Sequence, residues 1–166
     1  MTAAAVPFDQ VALRRAYGRF PSGVVALCAV VGGEYVGMAA SSFVTVSLDP
    51  PLVAFCVQRT STTWPRLRTG AQLGISVLGE DHQDAARALA AKDRDRFAGL
   101  ATRSTEAGAL FVEGASMWME AVVTEEMPAG DHDIVLMAVS GFEIAGEIAP
   151  MVFHGSKFRR LVQESE

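Results

Sequence analysis

The sequence predicts a mainly β fold with flanking helices, in which the strands form a barrel. Six longer segments and two short ones, 43–46 and 151–154, are rich in apolar and β-branched residues, and turn residues separate them. Only three short segments have helical character, so the strand–helix–strand rhythm of a doubly wound sheet is missing. A sheet that closes on itself accounts for many strands with few helices between them.

Four strands and one helix are predicted in the first third of the chain. The helix begins at Asp9, a good N-cap, and ends at Gly18. Gly32-Gly33 predicts a two-residue hairpin between two β-rich runs. Asp49-Pro50-Pro51 is a rigid break, because proline cannot donate to a sheet ladder. The predicted strands are 23–31, 34–40, 43–46 and 52–57.

The rest of the chain predicts two more helices and four more strands. A short helix starts at Trp64-Pro65, since proline is well placed in a first turn. Asp81 is the predicted N-cap of an alanine-rich helix that ends near Ala91. Residues 92–114 receive no assignment, and 128–133 is a predicted turn. The predicted strands are 73–78, 117–126, 134–144 and 151–154.

Composition indicates a single domain over residues 1–166. Half of the residues are hydrophobic, which supplies a core and leaves apolar surface for an oligomer to cover. The net charge of −5 without a basic tract argues against nucleic-acid binding. Neither a membrane helix nor a signal peptide is evident, so we expect a cytoplasmic protein. Cys28 and Cys56 lie in apolar runs, which predicts buried thiols in a reducing compartment.

Several common site motifs are missing. The chain has no GxGxxG, no GxxxxGK and no GxSxG. His82, His132 and His154 are far apart and have no metal-ligand spacing, so no metal site is predicted. A nucleotide would therefore have to bind through another architecture.

Two hydroxyl-rich clusters each follow a predicted strand. The first is GMAASSF at 37–43, where small residues allow a flat ring or a phosphate to approach the backbone. The second is RTSTTW at 59–64, before the short helix, where N–H groups and hydroxyls favour an anion. Taken alone, the first cluster is more typical of a tight strand end and the second of an ordinary N-cap. Because both follow strands of one sheet, we expect them to converge on one ligand.

Three other segments carry weaker indications. The turn GDHD at 130–133 presents a histidine that could orient a ligand, although turns of this composition are usually solvated. The segment FHGSKFRRL at 153–161 combines aromatic and basic groups, as a packed C-terminal tail also would. A third cluster contains Lys92, Arg96 and Phe97, and charge runs of this kind are usually solvated.

Taken together, these segments resemble the flavin reductase family, whose fold is the FMN-binding split β-barrel. The resemblance spans about residues 8–161 and is most specific at 37–64, which reads GMAASSFVTVSLDPPLVAFCVQRTSTTW. Three further stretches match the family pattern: FPSGVVALCAV (20–30), GDH (130–132) and FHGSKFRRL (153–161). The family often has Tyr where Phe158 stands, and many relatives have Asn where Ser76 stands.

The resemblance implies a role for each candidate residue. The isoalloxazine ring is expected against small residues of the first cluster and the 57–58 backbone, and hydroxyls hold the ribityl chain and phosphate. Lys92, Arg96 and Phe97 are expected at the phosphate or a second nucleotide half. His132 is expected to orient the nicotinamide. The implied cofactor-binding residues are Met38, Ala39, Ala40, Ser41, Ser42, Val57, Gln58, Ser61, Thr62, Thr63, Lys92, Arg96, Phe97, His154 and Phe158.

The implied activity is hydride transfer from NADH or NADPH to FMN or FAD, with reduced flavin supplied to a partner flavin-dependent monooxygenase. The family also implies a homodimer with its flavin near the subunit interface. Three alternatives stay open: a flavin carrier or sensor on the same barrel, a reductase of another acceptor such as ferric iron or a cobalamin, and a β-barrel interaction module without a cofactor.

Overall fold

The structure is a computed structural model that describes residues 9–162. Three helices occur in this range: α1 (Gln10–Tyr17), α2 (Trp64–Leu67) and α3 (Gln83–Ala90). None of these helices is long and apolar enough to span a membrane. The strands are β1 (Ser22–Gly23), β2 (Val25–Val31), β3 (Glu34–Ala40), β4 (Val44–Leu48), β5 (Pro51–Gln58), β6 (Leu73–Val77), β7 (Thr102–Ser104), β8 (Leu110–Val112), β9 (Met117–Ala129), β10 (His132–Ile144), β11 (Val152–His154) and β12 (Lys157–Arg159).

Seven strands form one antiparallel sheet in the order β3-β2-β6-β9-β10-β5-β4. Its edge strands, β3 and β4, are consecutive in the chain and are joined only by residues 41–43. This linker spans at most roughly 14 Å, so the two edges lie close together and the sheet curls into a barrel. Since the edge strands do not pair with each other, the barrel is split. The predicted mainly β fold is confirmed.

A side chain extends the pairing of β4 with β5 into the linker between β3 and β4. Ser42 Oγ accepts a hydrogen bond from the Cys56 N–H at 3.0 Å and donates one to the Cys56 carbonyl at 2.9 Å. The hydroxyl therefore acts as an extra rung between β5 and the start of β4. We call the region formed by residues 41–43 and the adjoining ends of β3 and β5 the seam.

Strand β2 is buried on both faces and divides the core in two. Val25, Leu27 and Ala29 point into the barrel, where they pack with residues of β5, β6, β9 and β10. Ala26 and Cys28 point outward and pack beneath α3 and β8. This is the period of two expected of a strand. The outer cluster fixes α3 on the barrel wall next to β3.

Helix α2 closes one end of the barrel. Trp64 and Leu67 are buried in the inner cluster, and the Trp64 ring packs edge-on against Phe55 with centroids 5.1 Å apart. The indole N–H of Trp64 donates to Glu126 at 3.3 Å, so the polar end of this ring is also satisfied. Burial of this helix holds the preceding residues 59–63 in place beside the seam.

The predicted hairpin at Gly32-Gly33 is confirmed. Both glycines have positive φ, +60° and +82°, and the flanking strands pair with Val31 opposite Glu34. This is the backbone conformation that a two-residue turn requires and that glycine adopts without strain. The Asp9 N-cap is also confirmed, because its side chain accepts the Ala12 N–H at 2.7 Å.

The predicted N-cap at Asp81 is wrong. Helix α3 begins at Gln83, after His82. The Asp81 carboxylate instead pairs with the Arg160 guanidinium at 2.6 Å, which holds it away from the helix. The His82 Nδ1 accepts the Gly79 N–H at 3.1 Å and so stabilises the turn before the helix.

Other element predictions need correction in length or number. The predicted turn at 128–133 shrinks to Gly130-Asp131, because Pro128 pairs opposite Asp133 in the long β9–β10 hairpin. Four short strands were not predicted: β1, β7, β8 and β12. Each has two or three residues, which is too short to give a sequence period.

Ser76 is the one buried polar residue within residues 9–162. Its Oγ accepts the Val112 N–H at 3.0 Å and ties β6 to β8. We expect Ser76→Ala to lower the free energy of unfolding by about 1–3 kcal/mol, because the Val112 N–H loses its partner in the core. Urea denaturation measures the change.

Ser140→Ala is the matched control for this prediction. The Ser140 hydroxyl is exposed and donates to the Glu120 carbonyl at 3.3 Å, so its loss should cost at most about 0.5 kcal/mol. Equal losses in the two variants would contradict the role assigned to Ser76.

Candidate functional site

A cavity of about 430 Å³ lies over the seam. Its size falls in the range of about 300–1,000 Å³ typical of small-molecule sites. Both hydroxyl-rich clusters reach it, so the two turns and the small-residue strand end lie at one mouth, as the sequence predicted. The predicted site residues that line it are Met38, Ala39, Ala40, Ser41, Ser42, Val57, Gln58, Ser61, Thr62, Thr63, Lys92, Arg96 and His132.

The end of β3 gives this cavity a flat wall. Ala39 and Ala40 are half-buried and carry only methyl groups, so a planar group can lie close to the backbone. The Gly37 carbonyl points away from β2, since it accepts a hydrogen bond from Arg96. Peptide groups of an antiparallel strand alternate in direction. Ala39 therefore presents its N–H and C=O at the same free edge.

The hydroxyls beside this wall differ in what they can do. The Ser42 hydroxyl is engaged at the seam, and Ser61 Oγ accepts the Trp64 N–H at 3.1 Å. Helix α2 has a single turn, and its Trp64 N–H already has a hydrogen-bond partner. The anion site expected at the start of this helix must therefore be formed by side chains. The exposed residues Thr60, Thr62 and Lys92 offer two hydroxyls and a cation for it.

Arg96 joins three walls of the cavity. Its Nε donates to the Ala91 carbonyl at 2.6 Å, and its Nη1 donates to the Gly37 carbonyl and to Thr63 Oγ1, both at 2.8 Å. These partners belong to the end of α3, to β3 and to the turn before α2. The guanidinium thus fixes the distances between these elements, in addition to placing positive charge at the cavity.

His132 reaches the cavity because β10 pairs with β5. It lies directly opposite Gln58, at the point where β5 ends. Its Nδ1 is 2.7 Å from the Asp131 carboxylate. Hydrogen bonding to His132, together with the charge of the ring, lowers the pKa of Asp131. The ionised carboxylate is acceptor-only, so Nδ1 carries the proton of this hydrogen bond; whenever the ring holds a single proton, Nε2 is therefore the acceptor.

Three predicted residues lie elsewhere. Phe97 packs edge-on against Tyr35, with centroids 5.6 Å apart, and lines a neighbouring cavity. Phe158 lines a small hollow of about 120 Å³ that shares Ala39, Ala40, Ser41 and Ala90 with the seam cavity. His154 lies on β11 opposite Lys157, and the lining of the seam cavity does not include it. These three residues are not in the lining of the seam cavity, and their expected contacts with a cofactor stay predictions.

Four lining residues were not among the predicted set. They are Cys56, Thr60, Leu89 and Ala90. Cys56 is exposed, which corrects the prediction that both thiols are buried; it alternates along β5 with the buried Phe55 and Val57. The strand period could have indicated this. Cys28 is buried as predicted, and desolvation raises its pKa to about 12, which keeps the thiol protonated.

The residues at the seam fit a flat, phosphorylated ring. The methyl-lined wall suits a ring face, and hydroxyls with two cations suit a phosphate on one end of the molecule. His132 lines the same cavity, next to Gln58. One site can therefore hold a planar cofactor and orient a second molecule above it.

Comparison with known proteins agrees with this geometry. The model of the "Flavin reductase like domain" family matches residues 17–162. A flavin reductase from Pseudomonas putida is 35% identical over 142 residues, which cover 85% of this chain and 84% of that protein. The actinorhodin polyketide dimerase of Streptomyces coelicolor is 40% identical over 154 residues, with coverages of 92% and 87%.

A monooxygenase subunit and a solved structure extend the comparison. The reductase subunit of a flavin-dependent monooxygenase from Mycobacterium tuberculosis is 30% identical over 142 residues, covering 86% of this chain and 76% of that one. The NADH:FAD oxidoreductase of Streptomyces globisporus, solved with NAD and FAD fragments, superposes with a TM-score of 0.91 at 34% identity, covering 99% of this chain and all of that one. The split barrel, its seam cavity and the match over most of its length show that the chain belongs to the flavin reductase family.

Proposed function

We propose that this protein is an NAD(P)H-dependent flavin reductase whose flavin lies in the seam cavity. The observation that carries the proposal is the meeting of a methyl-lined strand end, two hydroxyl-rich turns and His132 in one cavity. Bound flavin supplies the redox chemistry, since its ring accepts hydride from a reduced nicotinamide. Oxidation of NADH by the purified protein with added FMN or FAD, followed by absorbance, tests it directly. A carrier or an interaction module would give no flavin-dependent NADH loss.

The protein contributes position and electrostatics to this reaction. Ala39 and Ala40 offer a flat surface, and the free-edge N–H of Ala39 can donate to a ring acceptor. The hydroxyl of Thr62 and the cation of Lys92 hold the phosphate. None of these groups has to act as a nucleophile or as a base.

His132 orients the nicotinamide in this proposal. Its Nδ1 is held by Asp131, so Nε2 can accept an N–H of the nicotinamide carboxamide. We expect His132→Ala to raise the KM for NADH by about tenfold, the equivalent of one good hydrogen bond, and to leave the KM for flavin nearly unchanged. Steady-state kinetics with each substrate varied in turn measures both constants.

Asp131→Ala is the control for this prediction. It keeps the imidazole and removes only the group that holds its orientation, so the KM for NADH should rise by less than in His132→Ala. Equal losses of flavin and NADH affinity in His132→Ala would exclude an orienting role on the nicotinamide side.

A homodimer that covers the seam is part of the proposal. Leu48 on the edge strand β4 is 96% exposed, and Tyr17 and Phe20 are 72% and 79% exposed. Tyr17 and Phe20 line a groove of about 710 Å³ that also contacts Ser41 and Ser42 of the seam. Burial of this apolar surface would stabilise a second copy next to the flavin. Sedimentation equilibrium of wild type and of Leu48→Asp/Phe20→Asp tests it: the variant should be monomeric.

Reduced flavin is proposed to leave this protein for a partner flavin-dependent monooxygenase. The relative from Mycobacterium tuberculosis, named as a reductase subunit, supports this role. Transfer is testable by mixing the protein, NADH and excess flavin with a flavin-dependent oxygenase and following its product. We further propose that residues 1–166 form a single domain located in the cytoplasm, which limited proteolysis and cell fractionation test.

A further inference from the structure

The tip of the β9–β10 hairpin, residues 130–133, carries His132 into the seam cavity. The tip extends past the end of β5, whose last paired residue is Gln58, opposite His132. The strand ladder between β5 and β10 therefore ends at the residue that is proposed to orient the nicotinamide. Any further support for the tip has to come from the residues that follow β5.

Arg59, the first residue after β5, holds this tip at two points. Its backbone N–H donates to the Asp131 carbonyl at 3.1 Å, which continues the β5–β10 ladder by one hydrogen bond. Its side-chain Nε lies 3.5 Å from the Asp133 carboxylate and forms an ion pair with it. Arg59 thus contacts the residues on both sides of His132. It is followed directly by Thr60, which lines the seam cavity.

The ion pair lies behind His132, away from the seam cavity. Residues that stand opposite each other in a sheet share a face, and Asp133 stands opposite Val57, which is buried in the barrel core. His132 stands opposite Gln58, and both line the seam cavity. Neither Arg59 nor Asp133 is in that lining. The pair can therefore affect a bound nucleotide only through the residues next to it.

We propose that Arg59 is a positioning residue, which fixes His132 relative to the turn before α2 through its ion pair with Asp133. This inference rests on the proposed function, in which His132 accepts a hydrogen bond from the nicotinamide carboxamide. A hydrogen bond weakens steeply when its distance or angle departs from the optimum, so a tip that can shift binds the carboxamide less well. The backbone hydrogen bond of Arg59 remains in any variant, which makes the side chain the part to test.

Arg59→Gln removes the charge and keeps a polar side chain. We expect the KM for NADH to rise about three- to fivefold, equivalent to at most the roughly 1 kcal/mol that an exposed ion pair contributes. This rise is smaller than in His132→Ala, because the imidazole itself remains. The KM for FMN should stay within about twofold, since Arg59 does not line the cavity. Steady-state kinetics with NADH and FMN varied in turn measures both constants.

The double variant Arg59→Gln/His132→Ala separates positioning from a general structural effect. If Arg59 acts through His132, its loss has nothing left to misplace, so the KM for NADH should equal that of His132→Ala within about 1.5-fold. Independent sites would instead multiply their effects. Arg59→Lys should restore part of the affinity for NADH, because an ammonium keeps a cation beside Asp133.

Arg68→Gln is the matched control. Arg68 pairs with Glu126 of β9 at 3.1 Å, and the exposed fractions of these side chains are 53% and 20%. They are close to the 55% and 23% of the pair at the tip. Glu126 stands opposite Val135 and so lies outside the tip. The control therefore loses an ion pair of the same kind, and its KM for NADH should stay within about twofold of wild type.

The outcomes separate this inference from the proposed function. A rise in the KM for NADH that disappears in the His132→Ala background supports the inference. An unchanged KM in Arg59→Gln or in His132→Ala overturns it, and so does a rise that persists in that background or that Arg68→Gln reproduces. Failure of wild type to oxidise NADH with any added flavin would instead overturn the proposed function.

Discussion

Gly74→Ala should be among the most destabilising single-methyl changes in this protein. A Cβ at position 74 would lie 2.2 Å from the Leu110 carbonyl oxygen, with the carbon and nitrogen of that residue at 2.7 and 2.8 Å. These atoms are backbone, so the clash cannot be relieved by a side-chain rotation. We expect a loss of about 3 kcal/mol or more in the free energy of unfolding, or a fall of roughly 6–12 °C in Tm, measured by calorimetry.

The Gly141→Ala variant controls for the change in backbone entropy. Gly141 also lies in a strand of the barrel, and a Cβ there would meet no atom within 4 Å. Its Tm should stay within a few degrees of wild type. If Gly74→Ala and Gly141→Ala had the same Tm, the close crossing of β6 and β8 would not exist in solution.

Among substitutions in the seam cavity, Arg96→Gln should cause the largest fall in kcat/KM for flavin. The change removes hydrogen bonds to the Ala91 and Gly37 carbonyls and to Thr63. Charge-assisted hydrogen bonds contribute about 1.5–3 kcal/mol each, so we expect kcat/KM for flavin to fall by about 10- to 100-fold. Because the whole cavity wall is displaced, riboflavin, which has no phosphate, should be affected as strongly as FMN.

Comparison with Lys92→Gln separates a positioning role from a direct phosphate contact. Lys92 is an exposed cation that lines the same cavity. Its loss should lower kcat/KM for FMN and leave kcat/KM for riboflavin unchanged. Arg96→Lys should behave nearly as Arg96→Gln, since an ammonium cannot reach all of the carbonyl partners at once. A loss confined to FMN in Arg96→Gln would show that Arg96 acts mainly on the phosphate.

Much of the architecture could be read from residues close together in the sequence. The Gly32-Gly33 turn and the ends of β3 follow from local backbone preferences, and the structure has them where they were predicted. The break predicted at Asp49-Pro50-Pro51 is shorter, because Pro51 already belongs to β5 and pairs with Leu48. The gathering of both hydroxyl clusters at one cavity followed from their shared position after strands. These features depend on short-range chemistry, which the sequence displays directly.

Features that depend on distant partners could not be predicted in this way. Asp81 has the residue type of an N-cap, but its ion pair with Arg160 involves a residue 79 positions away. Phe97 was expected at the phosphate or a second nucleotide half, and its packing against Gly37 and Tyr35 leaves it outside the lining of the seam cavity. Such positions are decided by tertiary contacts, which leave no local pattern.

The seam also bears on how quickly a product can depart. Its walls are strand ends and short turns, and exposed residues such as Ser41, Gln58 and Thr60 line its mouth. In the single chain this cavity lies at the surface of the barrel, so a bound molecule can leave without any strand moving. Release then requires only the breaking of contacts with the lining residues, which suits the proposed transfer of reduced flavin to a partner.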